Sequence, residues 1–161
     1  MSRPSIDEYM MRLAQVAASR TTCIRRGVGC ALADAGGRVL SVGYNGVPSS
    51  MPHCNEALPG LDAWQQMEAL PEYLPYACKG YNLPPGQDSC ESIHAEQNAL
   101  LQCRDPREIV TAYVTLSPCK PCVKLLMNTG CQRIVFLEEH TDPWPKEQWL
   151  KLGREWVHLA L

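Results

Sequence analysis

The sequence predicts an α/β sandwich, and three observations predict it. Between residues 111 and 137 two strand-like runs flank a helical one, the alternation that builds parallel strands with helices packed on them. Near the N-terminus an amphipathic helix precedes a hairpin. The chain has 161 residues, 45% apolar and 20% charged, the balance of one globular domain with a sizeable core.

Ser5-Ile6-Asp7-Glu8 fits a capping box, with Ser5 as N-cap and Glu8 reaching back. Ile6, Tyr9, Met10, Leu13, Val16 and Ala17 then recur at helical spacing, which predicts an amphipathic helix to about Arg20. Val28–Ala33 reads as a strand, Asp34-Ala35-Gly36-Gly37 as a turn, and Arg38–Gly43 as the returning strand. From about residue 48 to 86 the chain holds seven prolines and only a short helical run, Asp62 to Ala69. It is read as a proline-rich insertion within a single domain covering residues 1–161. A helix is expected from about Ala95 to Cys103, a strand over Thr111–Leu116, and a helix from Cys119 to Asn128 that Gly130 stops. Arg133–Leu137 is the next strand. After Asp142-Pro143-Trp144-Pro145 a last helix is expected to reach the C-terminus, with Trp149, Leu152, Trp156 and Leu159 on one face completing the core. No internal repeat or low-complexity tract is present.

Composition narrows the function classes. There are nine cysteines, an odd number, and the start of the chain carries Asp7 and Glu8 where a secretory signal needs an apolar run. No stretch approaches the roughly 18 apolar residues of a membrane span. The expectation is a cytoplasmic, reduced protein, in which clustered cysteines bind metal or catalyse. Cys30, Cys103 and Cys131 fall on strand or helix faces and read as small buried apolar residues. The net charge of −2 disfavours a nucleic-acid polymer as partner. Charge is uneven: residues 1–47 hold six basic and three acidic side chains, residues 48–96 one basic and seven acidic. A small anion is therefore expected at the first segment.

The chemistry concentrates in His94-Ala95-Glu96 and Pro118-Cys119-Lys120-Pro121-Cys122, with Cys119 lying 25 residues after His94. A catalytic zinc takes three protein ligands, keeps a fourth position for water and lowers that water's pKa. His94, Cys119 and Cys122 supply the three. The cysteines at i and i+3 on a first helical turn aim both sulfurs one way, and the helix N-terminus favours thiolates. Pro118 is tolerated at such a start because its missing N–H has no partner to lose. Glu96, two residues from a ligand, can reach the water without touching the metal, as a general acid/base must. A lone C-x-x-C would suit a structural zinc or a redox pair equally well. The added H-x-E makes the pattern that of the zinc deaminases.

The chain resembles the deoxycytidylate (dCMP) deaminases of the cytidine deaminase superfamily. The resemblance is carried by Ser19-Arg20-Thr21-Thr22-Cys23-Ile24-Arg25-Arg26-Gly27-Val28-Gly29, by Gly43-Tyr44-Asn45-Gly46-Val47-Pro48, by His53-Cys54, and by Cys90–Ala99 with Thr115–Cys122. It implies a three-layer α/β/α cytidine deaminase-like sandwich around a mixed five-stranded sheet. The implied reaction is zinc-dependent hydrolysis of dCMP to dUMP and ammonia, feeding thymidylate synthesis. Hexamers activated by dCTP and inhibited by dTTP are common in the family and are expected here.

Roles follow residue by residue from the resemblance. Glu96 would move the protons, Asn45 would bond the deoxyribose, the Ala95 N–H would hold the base carbonyl, and the Ser117 carbonyl would accept from the departing amine. Arg25 and Arg26, with Arg20, are the candidate grips for the 5′-phosphate, because guanidinium matches phosphate in a bidentate way. Some family members hold a second, structural zinc, expected here from Cys23, Cys54 and two of His53, Cys78 and Cys90. The family often has Arg-Thr before the Ile-His pair; Glu91-Ser92 stand there instead, so no phosphate contact carries over from that arginine. Two other functions compete with this one. A deaminase acting on a free nucleoside, or on cytosine or adenine in nucleic acid, would in the polymer case want a basic surface, against the acidic 48–96 segment. A non-catalytic zinc module would close the site with a fourth ligand and leave Glu96 without a task.

Overall fold

The computed structural model describes residues 3–56 and 90–160. The short helix expected over Asp62–Ala69, Cys78 and most of the proline-rich segment lie outside these residues. In chain order the described elements are α1 (Ile6–Ala18), β1 (Gly29–Ala33), β2 (Val39–Tyr44), α2 (Ala95–Gln102), a 3-10 turn (Pro106–Glu108), β3 (Thr111–Leu116), α3 (Lys120–Met127), β4 (Arg133–Glu138), α4 (Trp144–Lys151) and β5 (Glu155–His158). The capping box at Ser5 forms with both of its bonds, and β3 occupies the expected residues.

One mixed sheet runs β2-β1-β3-β4-β5. β1 pairs antiparallel with β2 and β3, whereas β3, β4 and β5 are mutually parallel neighbours. Period-two alternation divides the side chains between two faces. Ala31 and Ala33 of β1, Tyr113 of β3 and Val135 of β4 meet Met10, Met11 and Ala14 of α1. The intervening residues Cys30, Leu32, Ala112, Val114, Ile134 and Phe136 meet Ala95, Ala99, Val123, Leu126 and Trp149 of the other three helices. Because both faces are covered, β1 is buried at every position. The three-layer expectation holds. Cys30, Cys103 and Cys131 belong to the second core cluster, as their apolar reading requires.

The C-terminus corrects the sequence reading. α4 ends at Lys151 and the chain returns as β5, parallel to β4. The helix stops because Gly153 takes the left-handed region at φ 71°, a conformation that ends helices at little cost to glycine. Trp149 still completes the core as expected, fully buried. Trp156, however, sits on a strand, opposite Ile134 and with its ring 5.3 Å from that of Phe136. The 149, 152, 156, 159 spacing mimics a helical stripe across a helix–turn–strand junction.

Two glycines set how closely helices approach the sheet. A Cβ at Gly29 would lie 1.8 Å from the Ala14 carbonyl oxygen of α1. One at Gly43 would lie 2.4 Å from both the Ala95 carbonyl oxygen and the Ala99 nitrogen of α2. No side chain fits between those backbones.

Asp7 ties α1 to the strands. Its carboxylate accepts from Arg133 Nη1 and Nη2, both at 2.7 Å, and from Tyr113 Oη at 2.8 Å. The Arg133 bonds hold the Asp7 carboxyl below its usual 3.8 despite partial burial, and burial together with Asp7 pushes the Tyr113 hydroxyl up to about 12. A folded-state pKa below the unfolded one stabilises the protein above pH about 4, and this contribution fades as pH falls through the folded value. Asp7→Asn is therefore expected to cost about 1–2 kcal/mol at neutral pH. Thermal unfolding at a series of pH values checks it: the gap between variant and wild type narrows below pH 4. A gap independent of pH would show that the carboxylate charge is not what matters.

Candidate active site

Two helix starts meet above the carboxyl end of β3. His94 is the N-cap of α2 and Cys119 the N-cap of α3, both with extended backbone. The Gln97 side chain accepts from the His94 N–H at 2.9 Å, which anchors the first turn of α2. Cys122 follows three residues after Cys119 on the same helical face and is fully buried. His94 Nδ1 lies 3.3 Å from Cys119 Sγ and 3.4 Å from Cys122 Sγ.

The donor set fits zinc. All three ligand atoms lie within 4.8 Å of one another, the only such cluster among the described residues. A tetrahedral zinc with ordinary bond lengths holds sulfur and nitrogen about 3.5 Å apart, close to what is seen. Charge points the same way. Cys122 and His94 beside it draw the Cys119 thiol well down. Cys122, bonded to Cys119 and buried, is pushed well up. A dication held between two sulfurs favours the thiolate form of both.

Glu96 is at the second position of α2 and 4% exposed. Burial pushes its carboxyl up to about 7; a Cys119 thiolate adds to this, while a positively charged His94 opposes it. A carboxyl balanced near neutrality can both take and return a proton.

A cavity of about 180 Å³ opens on this centre. His94, Glu96 and Cys119 line it, and so do Asn45, Ala95 and Ser117, three of the residues expected to touch substrate. Ala95 is the first residue of α2, so its N–H is one of the helix's unshared donors. Arg25 and Arg26 also line the cavity and are exposed. Arg20 is exposed beyond the end of α1 and is not on the cavity wall.

The Asn45 amide is bonded to the backbone of the arginine segment. Its Oδ1 accepts from the Val28 N–H and its Nδ2 donates to the Arg26 carbonyl, both at 2.8 Å. The amide thus braces the arginine segment and keeps one N–H and one lone pair for a ligand. Thr21 Oγ1 closes the same loop by donating to the Asn45 carbonyl at 2.7 Å.

Of the donors expected to hold a second metal, Cys23 and Cys90 lie on the cavity wall. Cys54 is buried, and His53 Nδ1 pairs with Thr22 Oγ1 at 3.1 Å. These described donors form no cluster of three at metal spacing, and Cys78 is outside the described residues.

His140 was missed in the sequence. It lines the cavity, its N–H donates to Ser117 Oγ at 2.7 Å, and its Nδ1 accepts from the Asp142 N–H at 3.2 Å. The available signal was topological: His140 lies two residues beyond the end of β4, and ligands gather at the carboxyl ends of parallel strands.

Residues 4–138 match the family described as the cytidine and deoxycytidylate deaminase zinc-binding region. The chain belongs to this family. The deoxycytidylate deaminase of Mycobacterium phage D29 is 36% identical to this zinc deaminase over 141 residues, covering 86% of this chain and 99% of the phage protein. That of Schizosaccharomyces pombe is 34% identical over 146 residues, and the match spans 40% of the yeast protein. Among solved structures, the dCMP deaminase of cyanophage S-TIM5 in complex with dCMP and dUMP shares the fold, with a TM-score of 0.67 over 98% of each chain at 24% identity.

Metal analysis checks the site. Cys119→Ser is expected to strip the zinc that the unaltered deaminase retains through gel filtration. Unchanged zinc content in that variant would place the ion elsewhere.

Proposed function

We propose that this deaminase converts dCMP and water to dUMP and ammonia. The observation that carries the reading is one cavity joining three features: the His94–Cys119–Cys122 donors, a buried Glu96, and Arg25 with Arg26 on its wall. The phage relative, matched over nearly its whole length and named deoxycytidylate deaminase, supports this choice of substrate.

Zinc, when bound, supplies an activated water for attack on the ring carbon bearing the amine. The remaining work belongs to the chain. Glu96 accepts the water's proton and delivers protons to the ring nitrogen and the departing amine. The Ala95 N–H holds the base carbonyl, the Ser117 carbonyl accepts from the amine, and the spare valences of Asn45 hold the deoxyribose. Arg25 and Arg26 grip the 5′-phosphate at the mouth. Their basic segment, within residues 1–47, stands where the uneven charge of the sequence leads an anion to be expected.

The proposal extends to the protein's setting. It supplies dUMP for thymidylate synthesis from the cytoplasm, as a hexamer activated by dCTP and inhibited by dTTP, in keeping with the family resemblance. Among the described residues no helix is long and apolar enough to cross a membrane. A second zinc, drawing on Cys23, Cys54 and two of His53, Cys78 and Cys90, is also proposed. Its support is the Thr22–His53 bond of 3.1 Å, which sets the segment at Cys23 beside the one at Cys54. Two zinc ions per chain are expected from quantitative metal analysis; a single ion excludes the second site.

Ammonia release from dCMP, deoxycytidine and CMP, with purified protein, tests the function. Glu96→Gln is expected to lower kcat by roughly 10²–10⁴-fold while zinc stays bound. Full activity in that variant would leave a non-catalytic zinc module as the better reading. Arg26→Ala is expected to raise KM for dCMP by about tenfold, the worth of a charge-assisted bond, and to leave deoxycytidine unaffected. Equal effects on the two substrates would sink the phosphate assignment.

A further inference from the structure

Arg26 stands on the cavity wall with its guanidinium already committed. Its Nη2 donates to a carboxylate oxygen of Glu138, the last residue of β4. The two side chains are 49% and 67% exposed, so the pair stands at the rim, in water. Neither main chain depends on it. Asn45 holds the Arg26 carbonyl, and the Glu138 carbonyl accepts from the Ser117 N–H at 2.8 Å. What the pair does set is the state of the guanidinium. A carboxylate and a phosphate are acceptors for the same planar fork, so a ligand phosphate has to take those donors from Glu138.

We propose that Glu138 is a counter-charge at the mouth of the cavity that tempers nucleotide affinity, occupying Arg26 until a nucleotide phosphate displaces it. This rests on Arg26 being a phosphate grip. A nucleoside, having no anion, leaves the pair intact and gains nothing from Arg26. A nucleotide phosphate brings greater charge and three acceptor oxygens and wins the exchange. An exposed ion pair is weak, so the competition lowers nucleotide affinity only slightly, by about two- to fivefold. A brace that aims Arg26 into the cavity would act in the opposite direction, because its loss would weaken nucleotide binding.

The test compares Glu138→Gln, Arg26→Gln and the double variant for KM and kcat with dCMP and deoxycytidine. Inhibition by dUMP serves as an equilibrium readout. Glu138→Gln is expected to lower KM for dCMP and Ki for dUMP by about two- to fivefold, with kcat and the deoxycytidine kcat/KM unchanged. In the Arg26→Gln background the same substitution should bring no gain. Glu138→Ala repeats the test without an amide that could still bond Arg26, and thermal unfolding confirms that each variant is folded. The proposal is overturned if removing the carboxylate leaves dCMP affinity unchanged or weakens it, or if the gain persists without Arg26. In either case a dCMP-specific loss in Arg26→Gln keeps the phosphate grip itself intact. If Arg26→Gln harms dCMP and deoxycytidine alike, the grip fails, and the role of Glu138 with it.

Discussion

His94 Nδ1 comes within 3.4 Å of both sulfurs because two helices begin at the same height over the sheet. That coincidence depends on contacts with no chemistry of their own. α2 can start where it does because Gly43 of β2 lets the Ala95 and Ala99 backbone pass closer than any side chain would permit. α3 starts where it does because β3 ends at Leu116 and the buried Pro118 turns the chain into Cys119. The same geometry buries Glu96, since the second position of a helix pressed so tightly on the sheet has little access to water. Desolvation then lifts its carboxyl toward neutrality. One packing distance thus governs ligand position, acid strength and the direction of the Ala95 N–H together.

The parts of this arrangement written in local code were legible in the sequence. H-x-E and P-C-x-x-C fix which atoms converge, because helical spacing alone puts positions i and i+3 on one face. The Ser5 capping box and the β-branched and aromatic run of Thr111–Leu116 were equally local. The misreading of the C-terminus shows where such code fails. Trp149 and Trp156 are seven residues apart, a helical interval, yet Gly153 breaks the helix between them. Weighing that glycine against the period would have given the fifth strand. His140, Glu138 and the two-sided bracing by Asn45 had no local signature. His140 and Glu138 are placed by β3 and β4 being parallel and ending side by side, and the Asn45 brace by the antiparallel pairing of β1 with β2, both properties of the sheet.

Asn45 joins two halves of recognition that the sequence presented separately. The residue proposed to hold the sugar is also the one that bonds the backbone on either side of Gly27, next to the arginines proposed to hold the phosphate. Thr21 and the Gly46–Ile93 bridge fasten that loop at either side, to the arginine segment and to the entry of α2. Three short segments distant in sequence therefore meet around Asn45, and the last of them ends at Ile93, one residue before His94.

Charge at the mouth completes the picture in the same economical way. The arginines lie on the basic 1–47 segment, while β4 brings Glu138 against one of them from a different part of the chain. An acidic partner on a proposed phosphate grip looks self-defeating until its exposure is considered. In water the pair is worth little, so a ligand with more charge displaces it at small cost, whereas in the buried interior beside Glu96 the same carboxylate would hold its partner against any competitor. With Glu138 at the rim and Glu96 in the interior, each carboxylate sits in the dielectric that the role proposed for it requires.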